Sequence, residues 1–220
     1  MTTSQQIKSK TRVANHGEVY TAQREVDVML NLVKQETDRI DSRFLEPACG
    51  SGNFLAEILR RKLDKVKKEY KKNQLDCERY SIIAISSIYG VELLPDNAQE
   101  CRYRLLGIFT DWYASLFHKK AKPKVMEIAK YILNKNIVCG DALSMKNEEG
   151  LPLTLSEWSA VNGYMIKRRD FQYVELADFD PNKPTLFALR EVSDTGEAIF
   201  SPQPVKDFTL KHFLKLDEDE

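Results

Sequence analysis

The residues best placed to do chemistry lie in one string, Phe44-Leu45-Glu46-Pro47-Ala48-Cys49-Gly50-Ser51-Gly52-Asn53-Phe54-Leu55. A strand ending at Glu46 runs into a turn where Gly50 and Gly52 allow a tight bend and close approach of backbone to a ligand. A helix opening near Asn53 then presents unsatisfied backbone N–H groups. Such a turn can hold a phosphate or the carboxylate of an amino acid. The third glycine of a dinucleotide fingerprint is missing, and no Gly-Lys-Ser/Thr occurs, which argues against a dinucleotide site and against a P-loop. Glu46 at the strand end would repel phosphate and suit a cationic ligand.

Three more segments carry polar groups at the ends of apolar runs. Gly17-Glu18-Val19-Tyr20-Thr21 precedes an amphipathic stretch that Thr21 could cap. Ile88-Tyr89-Gly90-Val91-Glu92 ends a second strand on a carboxylate, which can accept both hydroxyls of a ribose. Asn136-Ile137-Val138-Cys139-Gly140-Asp141-Ala142-Leu143 reads as a third strand followed by Gly-Asp.

The elements that must position these groups alternate in period. Residues 22–36 read as a helix with Val26, Met29, Leu30 and Val33 on one stripe. Residues 43–46 form a strand, 53–72 a long helix, and 87–92 a strand. Residues 96–117 form a helix with Ala98, Cys101, Leu105 and Ile108 inward, 125–133 another helix, and 136–139 a strand. This order predicts an α/β fold with a mostly parallel sheet and helices on both faces. The charged insertion over 64–79 is expected to extend the long helix and then form a loop. Arg60, Arg61, Lys62, Lys65, Lys67, Lys68, Lys71 and Lys72 on that helix could face DNA, but a solvated helix face is the favoured reading.

Composition narrows the options. Lys+Arg and Asp+Glu balance at 33 each, so no net field draws the whole chain to a polyanion. A protein holding DNA alone would more often be basic, which suggests that another chain makes most phosphate contacts. Cys49, Cys77, Cys101 and Cys139 show no C-x-x-C spacing and only three histidines are present, so no metal site is expected. Scattered thiols, a polar start and the lack of any long apolar stretch fit a cytoplasmic protein with no membrane contact. The expected organisation is a flexible arm over 1–15, a cofactor-binding domain over 16–150, and an irregular extension over 151–220 suited to docking a partner.

The string at 44–55 resembles the first motif of class I S-adenosylmethionine-dependent DNA adenine methyltransferases of the restriction–modification type, which reads Asp/Glu-Pro-Ala-Cys-Gly-Ser-Gly-x-Phe-Leu. The segment at 17–21 is similar to that family's Gly-x-Phe/Tyr-Thr-Pro element, with Ala22 in place of proline. The resemblance covers about 16–143 and implies a Rossmann-like methyltransferase fold, left incomplete here. It implies S-adenosylmethionine as cofactor, held by Tyr20, Thr21, Glu46, Pro47, Ala48, Cys49, Gly50, Ser51, Gly52, Phe54, Glu92, Leu93, Asp141 and Ala142. In this likeness Glu92 meets the ribose and Asp141 the amino group of the cofactor's adenine.

The family's catalytic motif, Asp/Asn/Ser-Pro-Pro-aromatic, is not found, and no Pro-Pro occurs in the chain. In that motif a polar side chain and a proline carbonyl accept the amino hydrogens of a flipped-out base, on which the aromatic ring stacks. The nearest candidate is Val161-Asn162-Gly163-Tyr164, where Asn162 and Tyr164 would act, but an Asn-Gly turn is the simpler reading. Residues 157–160 read as a poor buried strand before it, with 171–176 and 185–189 as other strand candidates. Lys167-Arg168-Arg169 reads as a solvated loop that could also touch phosphate.

Two functions remain. One is the cofactor-binding subunit of a split adenine methyltransferase, with a second chain supplying the Pro-Pro-aromatic motif and target recognition, and DNA bound in the complex. The other is a non-catalytic regulatory module that kept the cofactor pocket. The chain as a piece of one longer enzyme is a third reading, and a cytosine amine is a second possible target.

Overall fold

The computed structural model describes Thr11, Arg12, Ala14 and residues 21–177, 191–192, 198–199 and 202–219. The segment 17–20, most of the arm over 1–15, and the strand expected at 185–189 lie outside the described residues.

Helix α1 (Gln23–Leu32) and the short α2 (Lys34–Thr37) lead into strand β1 (Phe44–Glu46). Helix α3 (Asn53–Tyr70), helix α4 (Gln74–Ser86) and strand β2 (Ile88–Glu92) follow. Helix α5 (Pro95–Phe117), helix α6 (Pro123–Asn136) and strand β3 (Ile137–Cys139) complete the α/β part. The sheet order is β1-β2-β3, all parallel, with Glu46 opposite Gly90 and Glu92 opposite Cys139. The sheet is flanked by helices, as the alternation of periods predicts. Among the described residues no helix is long and apolar enough to cross a membrane.

Beyond β3, strands β4 (Thr154–Ala160) and β5 (Met165–Gln172) form an antiparallel hairpin, followed by the one-turn helix α7 (Tyr173–Ala177). Strands β6 (Glu191–Val192) and β7 (Ala198–Ile199) pair separately, while β8 (Lys206–Asp207) and β9 (Lys211–His212) both pair with β5. The hairpin shares the main core: Leu155, Trp158 and Ile166 cluster with Ile85, Ile88 and Ile132. Asn136 joins the two sheets. Its Nδ2 donates to the carbonyls of Ser86 and Ile88 at 3.1 and 3.0 Å, and its Oδ1 accepts the Trp158 indole N–H at 2.8 Å.

Several sequence expectations are corrected. The insertion holds a full helix, α4, rather than a loop. Asn73 caps it, and its last six residues are buried among α3, α6, β2 and β4, so it shows no one-sided stripe. The helix expected over 22–36 breaks at Val33. Val26 and Leu30 are buried, but Met29 and Val33 are exposed because α1 meets α3 along one narrow line. Thr21 is not the cap: Ala22 occupies that position, and the Glu25 carboxylate takes its N–H. Residues 157–160 form a sound strand. Arg168 of the expected solvated loop is buried, paired with Asp170 at 2.8 Å and stacked on Phe208.

The lysine cluster on α3 also divides. Lys62 is fully buried, and its ammonium reaches the Ile40 and Ser42 carbonyls and the Ser87 hydroxyl at the entrances to β1 and β2. Burial lowers its pKa to about 7.

Candidate functional site

A cleft of about 570 Å³ opens at the carboxyl ends of the three parallel strands, where α/β sheets place their ligands. Each strand delivers a polar group to it: Glu46 from β1, Glu92 from β2, and Gly140-Asp141 just past β3.

The glycine turn forms the floor. Gly50 and Gly52 adopt φ of +53° and +81°, a left-handed backbone that side chains strain to reach. Gly52 has a second constraint, because a Cβ there would sit 2.6 Å from the Cys101 sulfur beneath it. The Cys49 N–H donates to the Val91 carbonyl at 3.0 Å, tying the turn to the neighbouring strand. The Cys49 thiol is held well above its ordinary pKa, first by its hydrogen bond with Cys101 and then by burial, which disfavours the thiolate.

Glu92 organises the wall. One carboxylate oxygen accepts the Gly50 N–H at 2.8 Å. The other accepts the Leu94 N–H at 3.1 Å and the Asn97 amide at 3.2 Å. The residue therefore latches the glycine turn to the start of α5 while still bordering the cleft.

Glu46 differs in kind. Its Oε2 is buried with no hydrogen-bond partner. Burial, and secondarily the charge of Glu92, push its pKa up to about 8. A buried carboxyl with one oxygen unpaired is held in its neutral form, and a cationic ligand beside it would favour the carboxylate. Asp141 sits on the opposite lip. Its oxygens accept the Leu143 and Ser144 N–H groups at 2.9 and 3.3 Å, and these bonds lower its pKa. The lip approaches closely: a Cβ on Gly140 would fall 2.5 Å from Leu153 and 2.7 Å from the Lys146 carbonyl.

Of the residues expected from sequence, Thr21, Glu46, Pro47, Ala48, Cys49, Gly50, Phe54, Glu92, Leu93, Asp141 and Ala142 all line this one cleft. Ser51 and Gly52 are buried in the turn and are not among the residues lining the cleft, and Tyr20 lies outside the described residues. Sequence reasoning missed Asn53, Leu94, Asn97, Gly140 and Leu143 as lining residues. Asn53 joins α1, the turn and α5, since its amide donates to the Thr21 carbonyl at 3.0 Å and its oxygen accepts from Arg104. Its place inside the glycine string was the available signal.

Asn162 and Tyr164 are not brought to the cleft. They form the tip of the β4–β5 hairpin, with Gly163 at φ +68°, and the Tyr164 hydroxyl donates to Asp76 on α4 at 3.2 Å. Asp76 lies just past the far end of α3, whose first residues line the cleft. Its 18 residues span about 27 Å.

The family model described as MmeI, DNA-methyltransferase domain, matches residues 20–177, a span that includes the whole α/β part and the hairpin. No curated protein and no solved structure matches the chain. The matched span covers well over half of the sequence and contains every strand that forms the cleft, so this chain belongs to the MmeI DNA-methyltransferase domain family of restriction–modification methylases.

Proposed function

We propose that this chain is the S-adenosylmethionine-binding subunit of a DNA adenine methyltransferase whose target-base site is completed by a second polypeptide. The observation that carries the cofactor assignment is Glu46, with one buried oxygen unpaired, lining a cleft beside a glycine turn and a second acidic residue at the neighbouring strand end. The donor set suits the cofactor: Glu46 for cationic charge, Glu92 for ribose hydroxyls, Asp141 for the adenine amino group, and Phe54, Leu93 and Ala142 for apolar surface. When bound, the cofactor supplies a methyl group already activated on a sulfonium. The protein's part is to orient it and keep water away.

The split arrangement rests on the sheet. β1 pairs with β2 alone, and among the described residues no strand covers its other edge. Leu45 on this strand is 43% exposed. Beside it a hollow of about 380 Å³ is lined by Leu45, Tyr89, Leu155 and Phe171, with Arg43 and Glu157 at the rim. An open edge next to apolar surface is a template for another strand. We assign it to the partner strand that leads into the Pro-Pro-aromatic turn, which would then stand over the cleft. The hairpin bordering this hollow is the docking part of the extension.

Reconstitution tests the reading. The purified chain plus the product of the adjoining reading frame should transfer methyl groups from tritiated cofactor to adenine in duplex DNA, and the chain alone should not. Transfer by the lone chain, abolished by Asn162→Ala, would overturn the split arrangement. The non-catalytic alternative gains if the reconstituted pair binds cofactor but never transfers.

A further inference from the structure

The balanced net charge hides a polarised surface. Acidic side chains (Glu46, Glu92 and Asp141) line the cleft, while exposed lysines gather at the opposite pole. Helices α3 and α5 both start at the cleft and run away from it, over about 27 and 35 Å. α3 ends among Lys67, Lys68, Lys71 and Lys72, all exposed. The 3-10 turn that follows α5, His118–Lys120, adds exposed Lys119 and Lys120. The fold joins these two groups: the Gln74 amide donates to the Lys120 carbonyl at 2.9 Å, and Lys122 reaches Glu78 on α4 at 2.7 Å. None of the six lysines forms an ion pair with a described residue. Of the neighbouring cations, Lys65 pairs with Glu69 and Lys122 with Glu78, and Asp64 is the other exposed acid on this part of α3, so lysines outnumber acids at this pole.

The dipole at the end of α3 accounts for part of this, since cations favour a helix C-terminus. That effect reaches one turn, so it covers Lys67 and Lys68 and leaves Lys71, Lys72 and the second group unexplained. Lysine in place of arginine gives point charges without bidentate geometry, which suits phosphates held without base readout. Among these six and their immediate chain neighbours the exposed ring is that of His118, while Tyr70 is stacked on Tyr80, so there is no row of rings for successive single-stranded bases.

We propose that this lysine pole is a second DNA-holding surface, separate from the cleft, which grips the phosphate backbone of duplex DNA without reading its sequence. It lies too far behind the cleft to touch the target base. Its role is to hold DNA near the subunit while the cleft face carries out recognition with its partner. The proposal stands on charge placement and does not depend on the identity of the cofactor.

The test uses the full chain and a fluorescent 30-base-pair duplex, followed by anisotropy across a salt series. Reversing two pole charges, Lys71→Glu with Lys119→Glu, should weaken binding at least tenfold at low salt. The slope of log K against log salt should fall by about 2, close to 0.9 per lost phosphate contact. The milder Lys71→Gln with Lys119→Gln should give the same slope change. A control pair with the same charge change elsewhere, Lys34→Glu with Lys130→Glu, should alter binding less than twofold. Unchanged circular dichroism and urea midpoint in all variants check the fold without using the cofactor, so this result stands apart from the cofactor assignment. Equal losses in pole and control pairs, tighter binding to a 30-nucleotide single strand, or no duplex binding by the unaltered chain would each overturn the proposal.

Discussion

Glu46 should lose a proton when the cofactor binds. In the free chain its carboxyl has a pKa of about 8, set first by burial and then by Glu92, so at pH 7 it is about nine-tenths protonated. A cationic ligand beside its unpaired Oε2 would favour the carboxylate. Binding at pH 7 should then release about 0.9 proton from this group. Calorimetry in two buffers of different ionisation enthalpy reads this number directly. The Glu46→Gln variant, which lacks the titrating carboxyl, supplies the comparison. The affinity ratio of wild type to variant should rise by up to about 50-fold from pH 6 to 8 and level off above that. The apo protein should show the linked effect. The folded pKa lies above the unfolded value, so the folded state holds the extra proton between about pH 4.5 and 8. Wild type should therefore lose stability relative to Glu46→Gln as pH rises through that window. Equal proton release by wild type and variant, or a pH-independent affinity ratio, would refute the reasoning.

Other outcomes follow from the same geometry. Glu92→Ala should weaken cofactor binding by about 1–3 kcal/mol and also lower the urea midpoint, because it strands the Gly50, Leu94 and Asn97 donors as well as the ligand's. Asp141→Ala should weaken binding by a similar amount without comparable loss of stability, as its donors lie on an exposed lip. Gly140→Ala should destabilise the fold by about 1–3 kcal/mol in urea melts, because its methyl would meet both the Leu153 side chain and the Lys146 carbonyl. Lys62 has a folded pKa of about 7 against an ordinary value near 10.5, so the unfolded chain binds more protons between them. Relative to Lys62→Met, wild type should gain stability as pH rises from 7 to 10, which urea melts at pH 6.5 and 9.5 would show.

What sequence could reveal followed from how local the information was. The glycine turn was readable because left-handed backbone and close approach demand glycine at fixed places, and Glu46 and Glu92 fall at strand ends that periodicity alone located. Helices α3 and α5 were readable because each buries one stripe. Helix α4 was not, since burial on nearly all sides erased the stripe, although Asn73 marked its start. The hairpin was undervalued because Trp158, Arg168 and Asp170 look like surface residues until Asn136, Tyr131 and Phe208 satisfy or cover them. Asn53 and Asn97 were missed as cleft residues because their roles depend on chain segments brought together only by folding. The α3 lysines were legible as a possible DNA face, but their junction with Lys119 and Lys120 beyond α5 was not, because only folding brings the two groups together.

The central claim is that this cleft binds S-adenosylmethionine. Titration calorimetry of the purified chain with S-adenosylhomocysteine, the non-reactive product, tests it most directly. The expected result is binding at one ligand per chain, weakened about tenfold or more by Glu92→Ala. No binding by the chain, either alone or with the product of the adjoining reading frame, would contradict it.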